Sequence, residues 1–390
     1  MRQQATSEIG VGTHRSDATS AALGGLIALA AAIGIGRFVY TPILPLMMGD
    51  LGLSGSAAGL IASANYLGYL VGALVVAAPV LPGSRRVWLL GALVVGALAT
   101  AAMGLTRSLM LFLILRFVGG AASAFVLILA SAVVLERLAE ARRDGLSSLH
   151  FAGVGVGIAL SAIMVAALLR AGQSWQSLWL ASGALSLGVA PAVALLLRTP
   201  PGPPRSAGHQ PSQSVDATLR RVIVAYGLFG FGYVITATFL VVIVRSKPTL
   251  RDVEPLVWVV FGVAAAPSVA LWTRIATRFG TPATFAAACA VEACGVLASV
   301  VWPSQTGVFL SAMLVGGTFM GLTALGLVRA RRLATGDPRR AIAWMTGAFG
   351  LGQIAGPAFA GMISDRVGDF TVPSITAVIA LLVAAVLACK

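Results

Sequence analysis

Acidic residues are scarce in this chain: Asp and Glu together number 13 in 390 residues, and all charged types make up only 10%. Histidines number three, and two of them, His14 and His209, fall in polar segments. A membrane-embedded enzyme would need His, Asp or Glu gathered at one depth, so this supply argues against catalysis. The three cysteines, Cys289, Cys294 and Cys389, are odd in number and lack metal-ligand spacing, so they read as small packing residues. The Walker pattern that cradles ATP phosphates is absent, and GVGVGI from Gly153 follows no strand, so it is not a dinucleotide motif. Polar interruptions never exceed about two dozen residues, too few for a soluble signalling domain. No catalytic residue, metal or cofactor is therefore expected.

What the chain has in excess is apolar surface. Hydrophobic residues make up 58% and the mean hydropathy is +0.93. A soluble protein of this length cannot enclose that much, so the expected solvent is lipid. Apolar runs of about 20 residues, enough to cross roughly 30 Å of hydrocarbon as helix, recur twelve times. They fall near 21–47, 54–81, 87–106, 108–135, 148–169, 176–197, 221–244, 255–276, 282–302, 306–328, 341–363 and 372–389. An all-α membrane protein of twelve transmembrane helices follows. The 45 glycines suit close helix packing in a bilayer.

The net charge of +14 raises the question of a nucleic-acid partner, and the charge positions answer it. With the N-terminus in the cytoplasm, nineteen of the 27 cations fall in inner segments and six in outer ones, leaving Arg37 and Arg116 inside helices. That is the positive-inside bias, so both termini are expected in the cytoplasm, with no nucleic acid involved. The partners expected are the lipid bilayer and a small-molecule substrate.

The chain divides as a polar tail (1–20), six helices (21–197), a Pro-, Gly- and Ser-rich cytoplasmic linker (198–220) and six more helices (221–390). The halves match in register. GIGRFVYT from Gly34 pairs with GFGYVITA from Gly230 at an offset of 196, and RFVGGA from Arg116 pairs with MLVGGT from Met313 at 197. Gly83 pairs with Gly280 at 197, and GVG at 155–157 with GLG at 350–352 at 195. Four matches in order at nearly constant offset argue for a duplicated six-helix unit. Because six is even, the copies are parallel repeats, an arrangement used by transporters whose halves rock about a central site.

Twelve helices in two such halves, with RFVGGAA on the fourth and GQIAGPAFAG on the eleventh, resemble the major facilitator superfamily. GIGRFVYTPILPLM on the first resembles more narrowly its bacterial YbfB/YjiJ group. The resemblance covers residues 20 to 389. It implies a secondary transporter of the bacterial inner membrane working by alternating access as a monomer, with helices 1, 4, 7 and 10 lining the cavity. The cytoplasmic loop after the second helix departs from the pattern: VLPGSRRV keeps Gly83, Arg85 and Arg86 but has Leu81 where an Asp is usual. The matching ATRFG keeps Arg278 and Gly280 with Thr277 in that place, so the usual charge latch is questionable.

Arg37, Arg116 and Glu292 are the strongly charged residues deep inside helices. An arginine at a helix centre costs about 2.5–3.5 kcal/mol on insertion scales, so it faces protein or water. No acidic residue shares helices 1, 4, 7 or 10, so an organic anion that a guanidinium can grip bidentately is a natural counter-charge. The competing reading is structural: Pro42 and Pro45 release backbone carbonyls near Arg37, which could tie them down. Tyr40 one turn after Arg37, Asn65 and Tyr69 on helix 2, and Tyr233 complete the candidate substrate site. Glu292 is the proton-coupling candidate, or else an inter-helix pairing group. Gly153, Gly155, Gly157, Gly350, Gly352, Gly356 and Pro357 are expected to form the contact across which the halves move. A small organic anion or amphipathic solute is the expected cargo, with broad-specificity efflux as the rival.

The topology is directly testable. A reporter fused after Lys390 or inserted beside Gln210 should report cytoplasm; periplasmic labelling at either position would break both the orientation and the helix count.

Overall fold

The computed structural model describes residues 17–78, 83–197, 216–334 and 338–389. The tail to residue 16, Leu81, residues 198–215 of the predicted linker and Lys390 lie outside the described residues. Among those described, the secondary structure is helical, without strand. Twelve helical stretches follow in order: α1 (Asp17–Leu51), α2 (Gly55–Ala77), α3 (Arg85–Leu105), α4 (Leu109–Glu140), α5 (Ser147–Arg170) and α6 (Trp175–Leu196). The second set is α7 (Ala217–Arg245), α8 (Glu254–Ala265 and Ser268–Phe279), α9 (Thr281–Val301), α10 (Gln305–Leu333), α11 (Pro338–Val367) and α12 (Thr371–Cys389).

Ten of these helices are long and apolar enough to cross a membrane by themselves, and eleven if α8, bent by 44°, counts as one span. The exception to the expected twelve is α11. It has the length, 30 residues, but Arg339, Arg340, Gln353, Asp365 and Arg366 make it more polar than a lipid-facing span. Gln353 and Asp365 bond to other helices.

Local chemistry explains the helix starts. Ser54 caps α2 by accepting from Ala57 N–H at 3.1 Å, Asp216 caps α7 through Leu219 N–H at 2.7 Å, and Ser304 caps α10 through Gly307 N–H at 3.1 Å. Gly83 and Gly280, matched by the repeat, both turn the chain with positive φ, +87° and +81°. The loop arginines act within one half. Arg85 reaches Glu136 at 3.8 Å, Arg86 donates to Ala194 O at 2.8 Å, and Arg278 lies over its neighbour Phe279.

Glycine contacts show the duplication in three dimensions. A Cβ on Gly120 of α4 would lie 1.9 Å from Asn65 O of α2, and one on Gly316 of α10 would lie 2.3 Å from Phe261 O of α8. Both members of the pair shift by 196. This register differs by one residue from the sequence match of Arg116 with Met313, because a double glycine can be aligned on either member. Ala312, fully buried, is the positional counterpart of Arg116, whereas Met313 is 49% exposed on the outside of the bundle.

The predicted moving glycines separate into two sets. Gly155 packs across the halves against Ala266 of α8, but Gly153 and Gly157 meet Leu26 and Ala30 of α1 within the first half. On α11, Gly350 touches Leu70 of α2, and Pro357 O lies against Gly59 of α2, while Gly352 and Gly356 pack on α7 in their own half. Residues two apart on a helix point to opposite sides, so one glycine string serves two interfaces. The α2–α11 seam is backbone against backbone: a Cβ on Gly59 would sit 2.2 Å from Pro357 O. Gly59→Leu should therefore force the seam apart and lower the melting temperature of the purified protein, by an overpacking cost of about 1–3 kcal/mol. An unchanged melting temperature would refute that close approach.

Candidate functional site

The central site grows out of a fault in α1. Over Ala30–Ile35 the helix widens, with Gly36 N–H bonding Ala31 O at 2.9 Å and Phe38 N–H bonding Ile33 O at 3.2 Å, five residues back. Thr41 N–H then turns to Phe38 O at 3.2 Å, and Pro42 has no N–H to give. Arg37 O is left without a donor on either of the residues that would normally reach it.

Arg116 of α4 repairs this. Its Nη1 donates to Gly36 O and its Nη2 to Arg37 O, both at 3.0 Å. The guanidinium also lies 5.0 Å above the Tyr40 ring. Arg116 is in turn positioned by α2, where Asn65 Nδ2 donates to Arg116 O at 2.9 Å. The structural role expected for Arg37 thus belongs to Arg116. Tyr40 likewise sits under Arg116 rather than beside Arg37, because the wide turn breaks the one-turn stacking that a regular helix would give. Its hydroxyl donates to Ala58 O at 2.8 Å.

Arg37 takes no part in that repair. It is 6% exposed, donates from Nη2 to Ser123 Oγ at 3.2 Å, and lies 4.2 Å over the Tyr69 ring and 5.3 Å over that of Tyr66. Its Nε is buried without a partner. Among the described residues no carboxylate pairs with it.

The second half supplies an aromatic wall. Tyr233 stacks nearly parallel to Phe319, with centroids 5.6 Å apart at 10°, and to Phe349, 5.9 Å apart at 6°. Its hydroxyl accepts from Gln353 Nε2, whose Oε1 has no partner. The first half is therefore cationic at this depth and the second aromatic and neutral.

Glu292 of α9 is fully buried, with neither carboxyl oxygen hydrogen-bonded among the described residues. Thr318 lies beside it, but that hydroxyl donates to Leu314 O at 2.7 Å. Among the described residues Glu292 makes no ion pair. His150, in the first turn of α5, is fully buried, with Nε2 2.9 Å from Ser131 Oγ.

Tyr66, Ser123, Phe319, Phe349 and Gln353 escaped the sequence reading. Tyr66 had a signal, since it lies three residues before Tyr69 and so on the same side of α2. The others are ordinary core types until Arg37 and Tyr233 are placed. An open depression of about 390 Å³ lies elsewhere, lined by Asp50, Arg107, Trp175 and Gln176 among others. It offers no free charge: Asp50 Oδ2 accepts from Arg107 at 2.9 Å and from Trp175 Nε1 at 2.8 Å.

The sequence profile of the family described as "Uncharacterised MFS-type transporter YbfB" matches residues 29–389. No curated protein matches the chain by sequence. Among solved structures it is similar to a D-xylose–proton symporter, with TM-score 0.73, 18% identity, and 96% of each chain covered. It is also similar to a mutant of the nucleoside transporter NupG (TM-score 0.69, 16% identity, 94% of this chain and 98% of that one). A third is a bacterial homologue of the human lysosomal transporter Spinster, inward-facing and unoccupied (TM-score 0.69, 15% identity, 96% of each). At these identities the likeness concerns the fold.

The two arginines make separable predictions. Arg116→Lys keeps the charge but cannot bridge two carbonyls with one fork, so melting temperature and yield should fall well below those of Arg37→Lys. Equal thermal stability of the two variants would contradict this division of roles.

Proposed function

The chain belongs to the YbfB family of MFS-type transporters, and from that membership we propose that it carries a small organic anion with an apolar body by alternating access in the cytoplasmic membrane. The observation that carries the substrate class is Arg37: a buried guanidinium with an open donor, no carboxylate partner, and a face of stacked aromatics across from it. A carboxylate or phosphate on the solute supplies the missing counter-charge, and Tyr233, Phe319 and Phe349 receive the apolar part. A lipophilic cation would meet like charge at the same place. The concentration of arginines at the inner ends supports cytoplasmic termini.

Alternating access also has a physical basis in the two seams, α2–α11 and α5–α8. Each brings backbones together at small residues, which leaves few side chains interlocked between the halves. Glu292, fully buried and without a hydrogen-bond partner among the described residues, is the coupling site for a proton in this proposal, because gain or loss of its proton changes the charge buried in the second half.

The experiment is a thermal-shift screen of purified protein against aromatic and aliphatic carboxylates, sugars and lipophilic cations. Carboxylates should raise the melting temperature, and Arg37→Met should abolish that shift while the protein stays monodisperse. An anion shift undiminished in Arg37→Met would end the anion reading in favour of neutral amphipathic solutes. With a transported anion in hand, Glu292→Gln should leave binding intact and remove the pH dependence of transport; a retained pH profile would exclude Glu292 as the coupled site.

A further inference from the structure

At the rim of the α2–α11 seam, one carboxylate from the second half caps a helix of the first. Asp365, in the last turn of α11, accepts from Gly55 N–H at 2.6 Å, from Ser56 N–H at 2.8 Å and from the Ser56 hydroxyl at 2.5 Å. Ala57 N–H goes to Ser54 Oγ, so the opening turn of α2 is satisfied jointly by its own cap and by the other half. The carboxylate also faces the positive end of the helix dipole. Below it the backbones close up: a Cβ on Gly361 would lie 2.0 Å from Gly55 O, and Ser63 Oγ donates to Ile354 O at 2.7 Å.

We infer that Asp365 is the latch of the gate at this end of the transporter, holding α2 against α11 when that side is closed. The bond sits at the exposed edge of the seam, where water can take over both the carboxylate and the freed N–H groups once the halves part. The latch is therefore reversible, unlike a buried pair whose separation would strand a charge. It is also single. The repeat places Asp365 opposite Arg170 and Ser56 opposite Asp252, and among the described residues neither of those side chains forms an ion pair or hydrogen bond. Only one of the two seams is fastened at this end.

The inference rests on the alternating-access reading and is independent of the substrate. In a background with the native cysteines replaced, spin labels at exposed Leu105 and Val372 report the separation of the halves at this end by pulsed resonance. Asp365→Asn replaces an acceptor with a donor that faces two N–H groups; it should raise the population of long distances about tenfold. Ser56→Ala, which removes one of three donors, should give a smaller shift in the same direction, and Asp365→Glu a smaller one still. If Asp365→Asn does not accumulate, the other two carry the test. Gly59→Leu, which wedges the seam, distinguishes the two readings. Opening by the wedge with unshifted distances in the Asp365 and Ser56 variants would overturn the latch, whereas a separation unmoved by any variant, the wedge included, would overturn the rocking of the halves.

Discussion

A guanidinium in hydrocarbon must be met by oxygen acceptors, and every carbonyl that loses its helical donor must be met by an N–H or O–H. Both requirements are answered at one place, where Arg116 spans the carbonyls of Gly36 and Arg37 across the fault in α1. Without the fault Arg116 would have no acceptors, and without Arg116 the fault would expose bare carbonyls. The pair is self-consistent only with α1, α2 and α4 in contact, and Asn65, Gly120 and Gly68 bring them there by letting backbones touch. Arg37, which bonds Ser123, is spared that task by its neighbour.

That freedom sets the character of the centre. The repeat gives each half a glycine-marked inner helix, yet the residue in the place of Arg37 is Tyr233, whose ring belongs to an aromatic stack rather than to a charge cluster. The duplicated frame is thus chemically unlike at equivalent positions, a guanidinium in one half and a stacked phenol in the other. In the proposed function, a solute bridging them meets a cation on one side and flat apolar surface on the other. The seams follow the same pattern. Both use small residues so the halves can approach, but only α2–α11 carries a carboxylate cap at its rim.

Much of the architecture was legible from composition and spacing. Apolar run lengths gave the helices, arginine placement the expected sidedness, and glycine strings the repeat, since lipid solvation and backbone approach act on residue type almost irrespective of context. Polar α11 strains that logic, because Gln353 and Asp365 are tolerated by facing Tyr233 and the start of α2 rather than lipid. The Met313 register was one residue off because the string VGG fixes a position only to within a glycine. A helical wheel paired Tyr40 with Arg37, but a wheel presumes regular turns, and the i→i+5 bonds near Gly36 rotate everything after them.

By itself, then, the sequence determined what depends on each segment's meeting with lipid: the helical class, the two halves and the presence of two buried cations. Tertiary structure decided which cation spans two carbonyls of α1 and which bonds a serine. Hydrogen bonding is directional over about 3 Å, and whether carbonyls of α1 or the hydroxyl of Ser123 lie within that reach of an arginine is set by how three helices pack, which no single helix encodes.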